Sequence, residues 1–379
     1  MTDLHLDTTT LKARGNAQFD GPALEHVHLS HITFGSSDLR DVVLRPLNPG
    51  LAMTLGDGFL DVTPFQHLLN GPSTISTRNG IEPTTFPVQL DLPRLHRLQI
   101  APGRYLQNVR AYLTWDGADW RAIKVSGHVP DELIQPHYGK SSNSSRDATT
   151  FDFLYLPTAP QPPHLSLRTN DIGAVLRALN LYDNLIDGNV VLTGHINQDS
   201  TGITTKLQAD QFTVRKAPII AHLLAAASLH GLKNLLSHDG LKFAALNADI
   251  AWYGDRLNIT RAEAHGGSLG VTAQGDITYP TGGLELRGTI IPAYLLNSIL
   301  GQVPVVNLLV GGKGQGLVAV NYHLTGKLAK PHVSVNPISA LTPGFLRGVF
   351  RLFKPNKAEG TQPSPPIPTF EGESQANEP

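Results

Sequence analysis

Apolar and polar positions alternate with a period of two over several stretches of the chain, a pattern that predicts β-strands. In the clearest stretch, Leu269, Val271, Ala273, Gly275 and Ile277 alternate with polar or small residues. The pattern recurs at 246–252 and at 284–290. Successive side chains of a strand point to opposite faces. We therefore expect strands with one apolar and one polar face.

Two dipeptides predict hairpin turns. Asp116-Gly117 follows the apolar positions of 109–115, and Gly254-Asp255 separates the stretch ending at Tyr253 from Leu257. Short Asp/Gly sequences between alternating stretches are typical of two-residue hairpin loops.

Helical periodicity is limited to four places. Asn170 is a predicted N-cap for a helix over 172–179, and 217–236 is a longer apolar helix with Pro218 in its first turn. A third helix is predicted at 292–300 and a fourth at 346–353. Many consecutive strands with single helices between them favour a mainly β fold with an antiparallel sheet and helices at its bends or ends. The pattern leaves open whether the apolar face is covered, as in a sandwich, or forms an open trough.

Composition excludes several classes of protein. Only 16% of the 379 residues are charged, and the net charge is −1. A nucleic-acid binder normally has a basic excess, so we expect no nucleic-acid partner. The absence of cysteine excludes a disulfide scaffold, a thiolate nucleophile and a Cys-ligated zinc site.

Two motifs resemble ligand sites but fit ordinary structure better. His26 and His28 share one strand face near His31, yet no acidic residue or cysteine at a recognisable spacing completes a metal site. The glycine-rich stretch 311–316 lacks the Lys-Ser/Thr pair of a P-loop and precedes a strand rather than a helix. The sequence has no HExxH motif, and its G-x-S-x-G spacing at 266–270 precedes a predicted strand rather than a helix, so it is not a nucleophile elbow. We therefore expect neither an enzyme nor a cofactor.

The predicted C-terminal helix is amphipathic and basic. Its apolar stripe is Leu346, Val349, Phe350 and Phe353, and its cations are Arg347, Arg351 and Lys354. Such a helix either lies in a membrane interface or closes the end of a sheet, and both interpretations remain open. The uncharged run 289–312 contains prolines and amides, so we predict a buried helix and loop there rather than a membrane span.

From about Asn170 onward the sequence resembles the C-terminal region of the AsmA-like family of bacterial envelope proteins. The strongest stretch is 288–350, with Pro292-Ala293-Tyr294, Asn297-Ser298, the glycines of 311–316, Asn336-Pro337 and the stretch 343–347 (PGFLR). The segments NDIGAVLRALNLYDNLIDGNVVLTG and APIIAHLLAAASLHGLKNLLSHDGLKF are also similar. Asn307 stands where the family pattern has glycine, and the chain is shorter than family members usually are.

This resemblance implies an elongated, twisted antiparallel sheet curled into an apolar groove, with helices at its bends and at the C-terminal end. We expect three parts: a β-rich part at 1–165, the AsmA-like region at 166–354, and a tail at 355–379. Composition predicts a Ser-rich loop at 137–149 and a Pro-rich linker at 156–164 in the first part, and it predicts that the polar, Pro-rich tail is disordered. In this family such grooves are held to carry phospholipid between the inner and outer membranes. The residues expected to contact acyl chains are Val190, Leu192, Leu207, Leu246, Ile250, Leu257, Ile259, Leu269, Val271, Ile277, Leu284 and Leu286.

The same resemblance implies a periplasmic or envelope location in a Gram-negative cell, with phospholipid, a membrane surface and an envelope protein as partners. If the native chain is longer, the resemblance implies an inner-membrane anchor. No signal or transmembrane helix is visible in this sequence. The alternative function is assembly of outer-membrane proteins through pairing at a sheet edge.

Overall fold

Strands dominate the computed structural model, which describes residues 2–65, 86–134, 148–157, 164–196, 202–226, 240–279, 281–292, 320–328 and 330–336. The first nine strands are β1 (Thr2–Asp7), β2 (Leu11–Asp20), β3 (Ala23–Phe34), β4 (Ser37–Leu47), β5 (Gly50–Thr54), β6 (Asp57–Asp61), β7 (Val88–Ala101), β8 (Arg104–Trp115) and β9 (Trp120–Val129). The next ten are β10 (Thr149–Leu156), β11 (His164–Thr169), β12 (Leu185–Ile196), β13 (Ile203–Val214), β14 (Leu241–Tyr253), β15 (Arg256–His265), β16 (Leu269–Thr278), β17 (Gly283–Pro292), β18 (Val320–Lys327) and β19 (Lys330–Asn336). The helices are α1 (Asp131–Ile134), α2 (Ile172–Ala178) and α3 (Pro218–Ala226), with a 3₁₀ turn at Thr63–Phe65.

All 19 strands belong to one twisted, mostly antiparallel sheet. Almost every strand pairs with the next one along the chain, which confirms the predicted mainly β, antiparallel fold. The exception lies between β4 and β7, where β5 and β6 stand end to end in one row. Both pair antiparallel with β4 and parallel with β7.

The three helices lie at the same edge of the sheet. Each connects one antiparallel strand to the next: α1 joins β9 to β10, α2 joins β11 to β12, and α3 joins β13 to β14. Because antiparallel strands alternate in direction, these connections all fall on one side, which we call the helix edge. The opposite side, which we call the hairpin edge, carries the β8–β9, β14–β15, β16–β17 and β18–β19 turns. The predicted hairpins are confirmed there: Gly254-Asp255 is a two-residue loop, and Asp116-Gly117 begins a four-residue loop, 116–119.

The sheet curls so that elements several strands apart come into contact. Helix α3 follows β13, yet it contacts β19, six strands further along the sheet. Leu223 and Leu224 of α3 share one hydrophobic cluster with Val333 and Val335 of β19. Helix α2 likewise packs on β8, β9 and β12. The helices therefore cover the inner, apolar side of the sheet near the helix edge.

The structure corrects one predicted helix cap. The N-cap of α2 is Asp171, whose carboxylate accepts a hydrogen bond from the Ala174 amide at 2.8 Å, and not Asn170. The Asn170 side chain instead accepts from the Thr150 amide at 2.9 Å, so it fastens α2 to β10. Pro218 begins α3, as predicted. This helix is described as far as Ala226.

Several predicted features lie outside the described residues. They are the glycine-rich stretch 311–316, the stripe of 346–353, the tail 355–379, and most of the loop 137–149 and the linker 156–164. Thr289–Pro292, where the uncharged run begins, belong to strand β17, so the predicted helix does not begin at Pro292. The rest of that predicted helix, 293–300, lies outside the described residues. Among the described residues, no helix combines the length and apolar character needed to cross a membrane.

Candidate functional site

The pairing register places apolar side chains opposite one another on one face of β12 to β19. Directly opposed residues of antiparallel strands have side chains on the same face. The apolar pairs are Leu192–Leu207, Ala209–Leu246, Leu246–Ala264, Ile250–Ile259, Leu257–Ile277, Ala264–Val271, Val271–Ile290, Ile277–Leu284, Leu286–Leu324 and Leu324–Val333. Each member of these pairs faces an apolar neighbour on the next strand. None of these positions is charged.

The same face continues through the N-terminal half. Its apolar pairs are Leu6–Ala13, Ala17–Val27, Val27–Leu44, Leu44–Met53, Met53–Leu90, Leu90–Leu113, Leu113–Ile123, Val125–Phe153, Phe153–Leu167 and Leu167–Leu192. We call the whole row, from β1 to β19, the apolar track. With 17 lateral steps of about 4.8 Å each, the track is about 80 Å long.

Burial falls from the helix edge to the hairpin edge along strands such as β8 and β14, whereas on β17 Leu284 is 5% exposed although it lies near the hairpin edge. On β14, Leu241 is 1% exposed near the helix edge, whereas Trp252 is 48% exposed at the hairpin edge. On β8, Val109 is 1% exposed and Trp115 is only half-buried. The track is therefore covered along one side and open along the other.

The covered side is fastened by a buried arginine. Arg177 of α2 is 4% exposed, and its guanidinium donates to the carbonyls of Leu133 at 2.6 Å and Leu185 at 3.2 Å. Arg104 of β8 donates to the Arg177 carbonyl and pairs with Asp183 at 3.0 Å. Burial lowers the pKa of the Arg177 guanidinium. These contacts hold α1, α2, β8 and β12 together at the helix edge.

All twelve residues predicted to contact acyl chains lie on the apolar track. They come from β12 to β17, and most of them face one another across neighbouring strands. Val190, Leu269 and Leu284 are buried in its core, and the others are half-buried. The seven residues predicted for the membrane-interface helix, 346–354, lie outside the described residues.

The prediction omitted the N-terminal half of the track. Its members include Val27, Leu44, Met53, Leu90 and Phe153. The sequence signal is alternation, and β-bulges interrupt it there. The register shifts at Arg14/Gly15, at Gln18/Phe19 and between Leu92 and Leu95. Each bulge adds one residue to a strand, so the positions that face the core change from odd to even numbers or the reverse. A search for strict alternation therefore fails across the bulge.

The histidines of β3 lie on the opposite, polar face. His28 is 3.3 Å from Asp41, and His31 is 3.0 Å from Asp38, in pairs between β3 and β4. Val27 packs against the core cluster and Leu29 is buried within it, as the interpretation of a solvated strand face predicted. Among the described residues, no three His, Asp or Glu side chains are grouped to hold a metal ion.

Comparison with protein-family models, with curated proteins and with solved structures gives no match. The resemblance to the AsmA-like family therefore stays a prediction from the sequence. The site defined by the fold is a long, curled β-sheet with an apolar, half-open inner face.

Proposed function

We propose that this chain binds the acyl chains of phospholipids along the apolar track and serves phospholipid transport or lipid homeostasis in the cell envelope. The observation that carries the proposal is the uninterrupted run of apolar pairs from β1 to β19. A sheet buries one face by packing against a second sheet or helices. Here all 19 strands belong to a single sheet, and the described helices cover only the helix edge.

The energetics favour a ligand on the open side of the track. Burying one methylene group contributes about 0.8 kcal/mol, so an acyl chain gains in proportion to the length that it lays on half-buried residues. Leu207, Leu246, Val271 and Leu286 are such residues. Because successive apolar residues stand one strand apart, a chain can move along the track without crossing water. Transfer by this route needs no catalytic residue.

The orientation of a bound phospholipid follows from the difference between the packed helix edge and the open hairpin edge. The helix edge is packed with buried side chains such as Leu224, which is 0% exposed. The hairpin edge is open to solvent, and charged side chains such as Arg256 and Lys327 are exposed at its turns. A phospholipid bound here has its acyl chains toward the helices and its headgroup at the hairpin edge. The envelope location comes from the sequence resemblance, with two membranes as donor and acceptor.

Native mass spectrometry of the chain purified in mild detergent, combined with lipid extraction, tests this function. We expect stoichiometric phospholipid with the folded protein. A lipid-free protein with an unchanged fold would mean that the sheet covers its own apolar face, and the proposal would be wrong.

A second function, assembly of envelope proteins by strand addition, is favoured by strand β1. All six of its residues are exposed, including Leu6 at 46%, and within the described residues only β2 pairs with it. Since the sequence has no cysteine, an Asp3→Cys variant gives a single crosslinking site on this edge. Crosslinking of a lipid-free protein to a partner strand would support assembly over lipid transport.

A further inference from the structure

Exposed apolar side chains are concentrated at the hairpin edge. Among the described residues, nine of the fourteen large hydrophobic side chains that are exposed lie at or beside this edge: Phe19, Leu24, Leu47, Phe86, Trp120, Trp252, Tyr253, Tyr279 and Leu328. All three tryptophans of the sequence, Trp115, Trp120 and Trp252, are also there. An ordinary surface has single exposed apolar residues scattered over it, so this arrangement calls for a partner.

Three neighbouring turns at this edge form one continuous surface, which we call the ledge. It consists of the β14–β15, β16–β17 and β18–β19 turns and presents Trp252, Tyr253, Tyr279 and Leu328. Tyr279 is 74% exposed and the other three are 47–48% exposed. The Tyr279 amide donates to the Asp255 carbonyl at 2.6 Å, and the Leu328 amide donates to the Gly282 carbonyl at 2.8 Å. These two hydrogen bonds connect each turn to the next, so the three turns are held in one row.

The charges beside the ledge are mainly positive. Arg256, Lys327 and Lys330 are exposed at the β14–β15 and β18–β19 turns, Asp255 lies in the first of these turns, and the exposed Glu285 lies two residues into β17. Asp276 lies further from the edge, where its carboxylate accepts a hydrogen bond from Asn258 at 2.8 Å. The ledge therefore combines amphipathic aromatic side chains with a local excess of cations.

We propose that the ledge docks on a bilayer surface that contains anionic phospholipid. Tryptophan and tyrosine have an apolar body and a polar tip, and they are enriched at the level of lipid headgroups. Arginine and lysine beside them are attracted to an anionic surface. The ledge is a single row of turns rather than a packed patch, which suits a flat lipid surface better than a protein partner of standard interface size. This proposal does not depend on lipid binding in the apolar track.

The test uses Trp252 as a reporter. In a Trp115→Phe/Trp120→Phe variant of the full chain, Trp252 is the only tryptophan. Vesicles of phosphatidylcholine with phosphatidylglycerol are expected to shift its emission to shorter wavelength, and brominated acyl chains are expected to quench it. Unchanged emission in the presence of these vesicles would overturn the proposal.

Cosedimentation with the same vesicles measures the contribution of each part of the ledge. A Tyr279→Ser/Leu328→Ser variant is expected to bind about tenfold more weakly, because interfacial binding scales with buried apolar area. A Lys327→Glu/Lys330→Glu variant should lose the preference for phosphatidylglycerol, at about fivefold per cation removed. The matched control is Leu181→Ser/Tyr182→Ser, two exposed residues that follow α2 at the helix edge.

The outcomes distinguish bilayer docking from self-association and from nonspecific adsorption. Equal loss of binding in the helix-edge control would overturn the proposal, and so would a ledge variant that binds like the parent protein. A ledge variant that abolishes self-association in size-exclusion chromatography while vesicle binding persists would also overturn it. Thermal unfolding of each variant tests whether the fold is kept. We expect unchanged stability because the substituted side chains are exposed. Phospholipid retained on purified ledge variants would show that the track works independently.

Discussion

A charge placed on the apolar track should weaken lipid binding without unfolding the protein. Leu286 of β17 is half-buried and lies between Gly275 of β16 and Leu324 of β18. In a Leu286→Asp variant without lipid, the carboxylate still reaches water on the open side. The cost to folding is then the partial burial of one leucine, about 1 kcal/mol.

With lipid bound, the same carboxylate has two alternatives. Burying an unpaired carboxylate under an acyl chain costs several kcal/mol. Keeping it hydrated displaces about three methylenes, at about 0.8 kcal/mol each, and costs about 2 kcal/mol. The cheaper alternative prevails, so we expect phospholipid affinity to fall about thirtyfold. Val271→Asp, placed between Ala264 and Ile290, should act in the same way.

Displacement of a fluorescent phospholipid analogue measures the affinity, and phosphorus per protein measures the lipid retained after purification. The matched control is Gln274→Asp. It adds the same charge one residue before Gly275 on the exposed, polar face of β16, opposite Arg287. Equal lipid binding by Leu286→Asp and Gln274→Asp would refute the reasoning. So would a Leu286→Asp variant that does not fold, because the face would then be an ordinary core.

Three further predictions concern other parts of the chain. Arg177→Met removes the guanidinium donor to the Leu133 and Leu185 carbonyls, so the free energy of unfolding should fall by about 2–4 kcal/mol in urea titration. Amide hydrogen bonds lower the pKa of Asp116 to about 2. The β8–β9 turn should therefore keep its full stability above pH of about 4 and lose it as pH falls toward 2, a change absent in Asp116→Asn and visible in near-ultraviolet circular dichroism of the adjacent Trp pair. Phe350→Asp should reduce vesicle binding without loss of stability if 346–353 is an interfacial helix, and unchanged binding would contradict that interpretation.

The sequence was most informative where strands are regular. Alternation at 269–277 and 284–290 predicted both the strands and their apolar face, because the β16–β17 pairing keeps one register from Leu269–Pro292 to Thr278–Gly283. Gly275 has φ of +135°, a backbone conformation that favours glycine. The antiparallel class followed from strands that succeed one another without crossover helices.

Other features depend on contacts between distant residues and leave no local pattern. The parallel pairing of β5 and β6 with β7 uses the same residue types as antiparallel pairing. The contact of α3 with β19 depends on the accumulated curl of six strand steps, which no single strand specifies. Asn170 and Asp171 are both good N-caps, and only the position of Thr150 on the neighbouring strand decides between them.

The two edges of the sheet make the two sides of the apolar track different, because one side is packed and the other meets solvent. At the helix edge, Leu224 and Arg177 are buried, and movement of a ligand in that direction would break packed contacts. At the hairpin edge, Trp252 and Tyr279 are exposed where the track meets solvent. If the chain binds lipid as proposed, the lipid enters and leaves on the hairpin side. If the ledge rests on a bilayer, an acyl chain passes from the membrane to the track beside Trp252 and crosses little water. The barrier to transfer then scales with the few methylenes exposed at that step, rather than with the whole acyl chain.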